Sequence, residues 1–287
     1  MDHEDDDESL ADLIEEDEIL ALFTEDEEKL RNAIRHLIEC AREDLRIESS
    51  LIDALEVSLD RGCDDSEASV WIAVVLGEAR SRNAAGILIR CLSNDEDEML
   101  QDAAGVALLR IGEPAIVLLM EQIDEGRGRL FNQTAYRLLG ETGVLEDEPL
   151  HRRVLDFLEE RLPIESRAPA GESAVEELVA ASARLGHRKL LKPFRQLLAR
   201  RYSGQNPVIE DAIALLEENE EGVPFVPTIE PWKERYGWLL EDERDRARVA
   251  RPGAGPDLRG MDYRNMFEVP ETSEPIEDED EDEGRFE

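Results

Sequence analysis

The residues able to do chemistry are few, and their spacing does not assemble a catalyst. The four histidines are His3, His36, His151 and His187. His36 and His151 fall on separate helical stretches. Neither has a carboxylate four residues on, so no ligand set with metal-site spacing forms. The cysteines Cys40, Cys63 and Cys91 are odd in number and make no C-x-x-C pair. They read as reduced thiols of a cytoplasmic protein, with Cys91 on an apolar stripe. A nucleophile needs an oriented base beside it, and no such motif occurs. There is no P-loop and no G-x-G-x-x-G; Gly126-Arg127-Gly128-Arg129 is only a short basic turn. With 71 Asp and Glu in 287 residues, pairs of acids are inevitable and carry no weight as a hydrolytic dyad. The expectation is a protein without catalytic residues, metal or cofactor.

One cluster of side chains does point to chemistry, that of anion recognition. Arg184, Arg188, Lys189, Lys192, Arg195, Arg200 and Arg201 place seven bases within eighteen residues, with no acid among them. Spacings of four and three put Arg188, Lys192 and Arg195 on one stripe beside an apolar one. Three readings compete. The stripe is a solvated face neutralised by Glu172, Glu176 and Glu177 on the preceding helix, a docking site for an anionic segment, or a site for a phosphate-rich ligand. The chain's own tail, rich in acids over 277–283, is one candidate ligand.

The charge distribution narrows the partners. Formal net charge is −38. Residues 1–28 hold fifteen acids and no Lys or Arg, and residues 271–287 hold ten acids and one Arg. Such acidity disfavours phosphate backbones and anionic membrane surfaces. It favours basic protein surfaces. The longest purely apolar run, 70–76, is far too short to span a bilayer. The N-terminus shows neither a basic n-region nor a long apolar h-region, so no signal peptide is expected.

The elements that must position the basic cluster are helices. Aromatics are few and aliphatics many, which suits helix packing. Residues 9–23 carry a short amphipathic pattern among acids. Thr24-Glu25-Asp26-Glu27 fits a capping box, followed by a helix with Leu30, Ile34, Leu37, Ile38 and Ala41 on one face. A second helix near 49–60 stripes Leu51, Ile52, Leu55 and Leu59. Then Gly77, Gly112, Gly140 and Gly186 stand at equivalent places, each directly after Leu or Ile, each with an alanine four or five residues earlier (Ala73, Ala107, Ala135, Ala181). A glycine at a helix end takes the left-handed conformation, and the alanine lets a partner helix approach. A second apolar-striped helix follows each glycine. The glycine spacings are 35, 28 and 46. A loop over 163–171, containing Pro, Ser and Gly, accounts for the longest. Asn206-Pro207 opens a further helix to about 219. A Pro-rich extended linker over 223–227 precedes a helix over 231–248 with Trp232, Tyr236 and Trp238.

A period of about 30–45 residues built of helix pairs indicates stacking units, since no pair can bury its apolar face alone. The in-phase Ala…Leu-Gly-Glu register over 66–202 resembles HEAT repeats, especially the short bacterial form found in phycobilisome-lyase-like proteins. Flanking units at 29–62 and 207–219 are weaker. The resemblance implies an all-α fold, a right-handed α-solenoid of about five to six stacked helix pairs with acidic, largely disordered termini, offering a surface to other macromolecules. The uneven periods depart from that pattern, as does the lack of a repeated Arg near each first-helix start. Some HEAT-type enzymes bind iron through repeated His-Glu pairs; the only such pair here is His3-Glu4.

The expected organisation is an acidic segment over 1–28, a helical body over 29–220, a linker and aromatic-containing helix over 221–250, and a disordered acidic tail over 251–287. The expected task is a cytoplasmic, non-catalytic scaffold or adaptor binding another protein, with intramolecular docking of the acidic tail as one mode. An enzyme subunit of chromophore-lyase type is the alternative, and a nucleic-acid-binding role is disfavoured by charge.

Overall fold

The computed structural model describes residues 17–24, 26–61, 66–94, 97–145, 147–169, 171–219 and 222–225. The chain divides into two units, Met1–Glu243 and Arg244–Glu287. The second lies wholly outside the described residues. So do the acidic tip, the helix expected over 231–248 and the acidic tail.

Among the described residues the structure is all-helical, with no strand. The helices are α1 (Asp17–Leu20), α2 (Glu27–Glu43), α3 (Leu45–Arg61), α4 (Ser66–Glu78), α5 (Ala85–Cys91), α6 (Glu98–Ile111), α7 (Glu113–Asp124), α8 (Arg129–Leu139), α9 (Glu148–Arg167), α10 (Val175–Arg184), α11 (Leu191–Arg201) and α12 (Pro207–Glu218). A 3₁₀ turn at Ala21–Phe23 extends α1. Others sit at Thr142–Leu145 and Arg188–Leu190. No described helix is long and apolar enough to cross a membrane.

The acids that dominate the sequence also start the helices. Asp26, not Thr24, caps α2: its Oδ1 accepts from the N–H groups of Glu28 and Lys29, both at 3.1 Å. The Thr24 hydroxyl instead accepts from the Asp26 N–H at 3.2 Å. The expected capping box is therefore replaced by a simple carboxylate cap two residues further on, because a carboxylate answers both the free N–H groups and the positive helix end. Asp97 and Asp147 cap α6 and α9 in the same way, at 2.9 Å and 3.0 Å.

Apolar residues at helical spacing then select the neighbours. Helix α2 packs on α4, α4 on α6, α8 on α10 and α10 on α12; α3 packs on α5 and α5 on α7. Sequential helices also pair, as α2 with α3, α6 with α7 and α11 with α12. The seams hold Leu51, Leu55, Ile72, Leu76, Leu88, Leu108, Leu119, Leu139, Leu158 and Phe194, all without solvent exposure. Ile19 and Leu22, from the short N-terminal pattern, are buried against the same core.

Three expectations about backbone are corrected. The second helix begins at Leu45 rather than near 49. Helix α9 continues through Pro163 to Arg167, where a loop was expected. A proline costs one helical hydrogen bond, but the turn beyond it buries Glu165. The glycines divide into two kinds. Gly112 and Gly186 have positive φ (83° and 70°) and do the conformational work expected. Gly77 and Gly140 do not: Gly77 is inside α4, and Gly140 has φ −63°. Their role is space. A Cβ on Gly77 would lie 2.6 Å from Ala107 Cα, and one on Gly140 2.9 Å from Ala181 Cα. The alanines picked out by sequence register are thus the surfaces against which these two glycines close.

Candidate functional site

The basic cluster lies on α10, the turn after it and α11. Phe194 and Leu197 bury one side of α11. Helical spacing puts Lys192, Arg195 and Arg200 on the opposite side. Lys189, Lys192, Arg195 and Arg200 are exposed, as is Arg188, whose stem lies beside Gly222. Arg184 is half-buried.

Two members are engaged within the fold. Arg201 turns inward, donating from Nη1 to the carbonyl oxygens of Glu165 (3.0 Å) and Ser166 (2.8 Å), and thereby tying the end of α11 to the end of α9. Arg195 pairs with Glu217 of α12 at 2.5 Å. Two of the three acids expected to neutralise the stripe are directed elsewhere: Glu176 accepts from Asn206 and Glu177 from Gln133. Lys189, Lys192 and Arg200 have no ion-pair partner among the described residues. The contrast with other cations is sharp. Arg90 holds Glu56 and Asp60 at 2.6 and 2.7 Å, Arg110 clamps Glu78 at 2.6 and 2.9 Å, and Arg161 reaches Asp124 at 3.1 Å.

Sequence reasoning missed the buried carboxylates, because a single Glu among so many carries no signal. Glu165 is 3% exposed. Its Oε1 accepts from Tyr136 Oη (3.0 Å) and Asn132 Nδ2 (3.4 Å), and its Oε2 from the Ala174 N–H (2.9 Å). Arg161 completes the set, 3.8 Å from Oε1 and donating to Tyr136 Oη at 3.3 Å. Burial, reinforced by the adjacent carboxylate, pushes the Tyr136 phenol above its ordinary range. It therefore stays a protonated donor, and the cluster is a closed tie between α8, α9 and α10 rather than an acid–base pair. Glu48 is the second such group; it accepts from the Ser81 hydroxyl and from Asn83 Nδ2 at 3.1 Å, fixing the turn after α4 to α3.

The remaining chemistry-bearing groups are unpoised. Burial pushes the Cys91 thiol up to about 12, far from a reactive thiolate. His187 is 4% exposed, with Nε2 3.5 Å from a Glu159 oxygen. Desolvation lowers its pKa, opposed by Glu159 and Asp156 and assisted by Lys189 and His151. Among the described residues no three His, Cys, Asp or Glu side chains gather as a metal site.

What the fold and its surface define is an all-helical protein with a solvent-facing cationic ridge on an otherwise acidic chain. The sequence matches no protein-family model and no curated protein. Solved structures similar to it include two crystal structures of engineered proteins. One is 17% identical, covers 72% of this chain and 96% of its own, and has a TM-score of 0.35. The other is 17% identical, covers 70% and 56%, and has a TM-score of 0.34. Likeness at that level carries neither an architecture nor a function.

Proposed function

We propose that the chain is a non-catalytic, HEAT-like α-solenoid that serves as a protein-interaction scaffold, and that its cationic ridge docks an anionic protein segment. Support for the solenoid comes from the alternate-helix packing, α2–α4–α6 beside α3–α5–α7 in one run and α8–α10–α12 in another. The Gly77–Ala107 closure lies in the first run and the Gly140–Ala181 closure in the second.

The observation that carries the docking site is the set of cations without carboxylates. Lys189, Lys192 and Arg200, with Gln196 between, follow helical spacing across eleven residues. That is about 16 Å at 1.5 Å per residue, a length matched by about five residues of extended chain. Each exposed pair contributes at most about 1 kcal/mol, so three alone give a Kd no tighter than about 6 mM, steeply weakened by salt. The ridge is therefore one contact within a larger interface.

The test is titration of a labelled ten-residue polyglutamate peptide at low and high salt. Binding is expected at low salt, and Lys189→Glu with Lys192→Glu and Arg200→Glu abolishes it. Deleting 271–287 separates an external ligand from competition by the chain's own tail, which predicts stronger peptide binding after deletion. Equal binding by the triple variant sinks the docking site. A preference for duplex DNA over the peptide transfers the ridge to nucleic acid.

A further inference from the structure

We propose that His187 is the trigger of an acid-sensitive latch: residues 222–225 are strapped across the turn that buries it, and protonation of its imidazole opens that turn and releases the strap. The strap is held mainly through main chain. Gly222 and Val223 lie against Gly186, where an added Cβ would meet Gly222 C and Val223 O at 2.7 Å. The Arg188 stem lies beside Gly222, 3.8 Å from where its Cβ would be. The Phe225 N–H donates to the Arg184 carbonyl at 2.6 Å. Residues 184, 186 and 188 therefore all touch the strap, on both sides of His187. Asn219 holds the strap's near end, donating to the Val223 carbonyl at 2.6 Å and accepting from its N–H at 3.2 Å.

The ring beneath the strap is poorly answered. His187 is 4% exposed. Its main chain is fixed, the N–H donating to the Ser182 carbonyl at 2.9 Å and the carbonyl accepting from the Leu190 N–H at 3.0 Å. Its Nε2 is buried with no hydrogen-bond partner among the described residues, and Glu159 Oε2 stands 3.5 Å away without making a bond. A neutral ring bears this better than an imidazolium, which has two N–H donors to satisfy and a charge to bury. Burial is the largest influence on the ring and disfavours the proton. Helix α9 supplies Glu159 and Asp156, which attract the proton, and His151, which repels it; Lys189 of the same turn also repels it. The strap contributes Gly222, Val223, Pro224 and Phe225, none of them charged.

Ring and strap are coupled through contact. The ring cannot reach water without moving Gly186 and Arg188, and Gly186 and Gly222 have no side chains to absorb the shift between turn and strap. A closed turn refuses the proton, whereas an open turn takes it at the ordinary value of about 6.5. Proton uptake therefore favours opening. The latch is closed above that value. Opening grows as pH falls through it, by at most about tenfold per unit for one proton, and levels off below the lowered value of the closed state. Release moves the covalent attachment of everything after the strap from Phe225 back to Asn219 at the end of α12.

The experiment is amide hydrogen exchange on the full chain, read as protection relative to the intrinsic rate at each pH. Phe225 reports the strap, and Leu76 and Leu108, buried in α4 and α6, report the body. Between pH 7.0 and 5.5 the protection of Phe225 should fall by up to about eightfold. Phe225 should also be far less protected than Leu76 and Leu108 throughout, because the strap opens without the body. His187→Gln should remove the pH dependence at Phe225. Glu159→Gln, at a half-exposed position, takes away the nearest attraction for the proton and should deepen the fall. A change under twofold at Phe225 overturns the proposal. So does protection at Phe225 equal to that at Leu76 and Leu108, which assigns the effect to global unfolding. An undiminished pH dependence in the His187→Gln protein overturns it as well. Should that variant not fold, a fall unaltered by Glu159→Gln does the same.

Discussion

Replacing Gly77 by alanine tests whether α4 and α6 are held together by close approach. The new Cβ would sit 2.6 Å from Ala107 Cα and 2.7 Å from its Cβ. Carbon atoms pack at 3.5–4.0 Å, so α6 must withdraw by about 1 Å. A gap of that size forfeits a quarter to a half of each dispersion interaction along the seam. Overpacking in comparable cores costs about 1–3 kcal/mol, and here the obstacle is main chain. Alanine's helix propensity returns about 1 kcal/mol. The net expectation is a loss of about 1–3 kcal/mol, read as a lower urea midpoint at unchanged slope. Adding Ala107→Gly rescues little, because the clash with the main chain of residue 107, at 2.6 Å, remains. Gly105→Ala is the control: its Cβ would meet Leu138 and Leu92 at 3.7 and 3.9 Å, ordinary packing distances. That variant should gain up to about 1 kcal/mol. A Gly77→Ala protein as stable as Gly105→Ala refutes the close-approach argument.

Four further outcomes follow from the polar groups. Glu165→Ala strands the Tyr136 hydroxyl, the Ala174 N–H and Arg161 together, and chemical denaturation should show a loss of about 3–5 kcal/mol. Tyr136→Phe, which removes one donor and leaves the carboxylate Asn132, the Ala174 N–H and Arg161, should lose only about 1–2 kcal/mol. Burial lowers the pKa of both His151 and His187, so below pH about 6.5 the unfolded chain binds protons that the folded chain refuses. Stability is thus complete above that value and falls from there toward pH 5, by up to about 1.4 kcal/mol per unit for each histidine. His187→Gln should flatten the fall when midpoints are compared at pH 5.5 and 7.5. Lys189→Glu with Lys192→Glu should leave stability unchanged or raise it by about 0.3–1 kcal/mol per site, while removing polyglutamate binding measured by anisotropy.

The fold was largely legible because the helical apolar period is local information. Leu30, Ile34 and Leu37, and later Ile116, Leu119 and Ile123, declare their buried face without reference to anything distant. What the sequence hid was everything decided by tertiary partners. Gly77 and Gly112 look alike in their Leu/Ile-Gly-Glu settings, yet one is a packing surface and the other a left-handed turn; only the position of Ala107 distinguishes them. Pro163 reads as a breaker, but the next turn carries Glu165 into three hydrogen bonds, and those hold the helix past it. The basic cluster was visible as a run of charge. Its division was not: Arg201 and Lys192 are equivalent letters until α9 supplies carbonyls to one and α12 supplies Glu217 to Arg195 between them.

That division bears on why the ridge cations are where they are. Eight of the described helices, α2, α3, α4, α6, α7, α9, α10 and α12, place acids in their first turn, where the dipole favours negative charge. Helix α11 has none there and instead has Lys189 and Lys192 around its start. In a chain with 71 acids and 33 bases, acids were the available and more stabilising choice. Arg201 and Arg195 have internal reasons for being basic, since one satisfies two carbonyls and the other a glutamate. Arg200 stands in the last turn of α11, where the helix end favours a cation; Lys189 and Lys192 have no such reason in the fold. Their charges, added to the positive end of α11, produce a local field opposite in sign to that of the whole chain. On the proposal above, such a field acts on an anionic segment brought to the ridge.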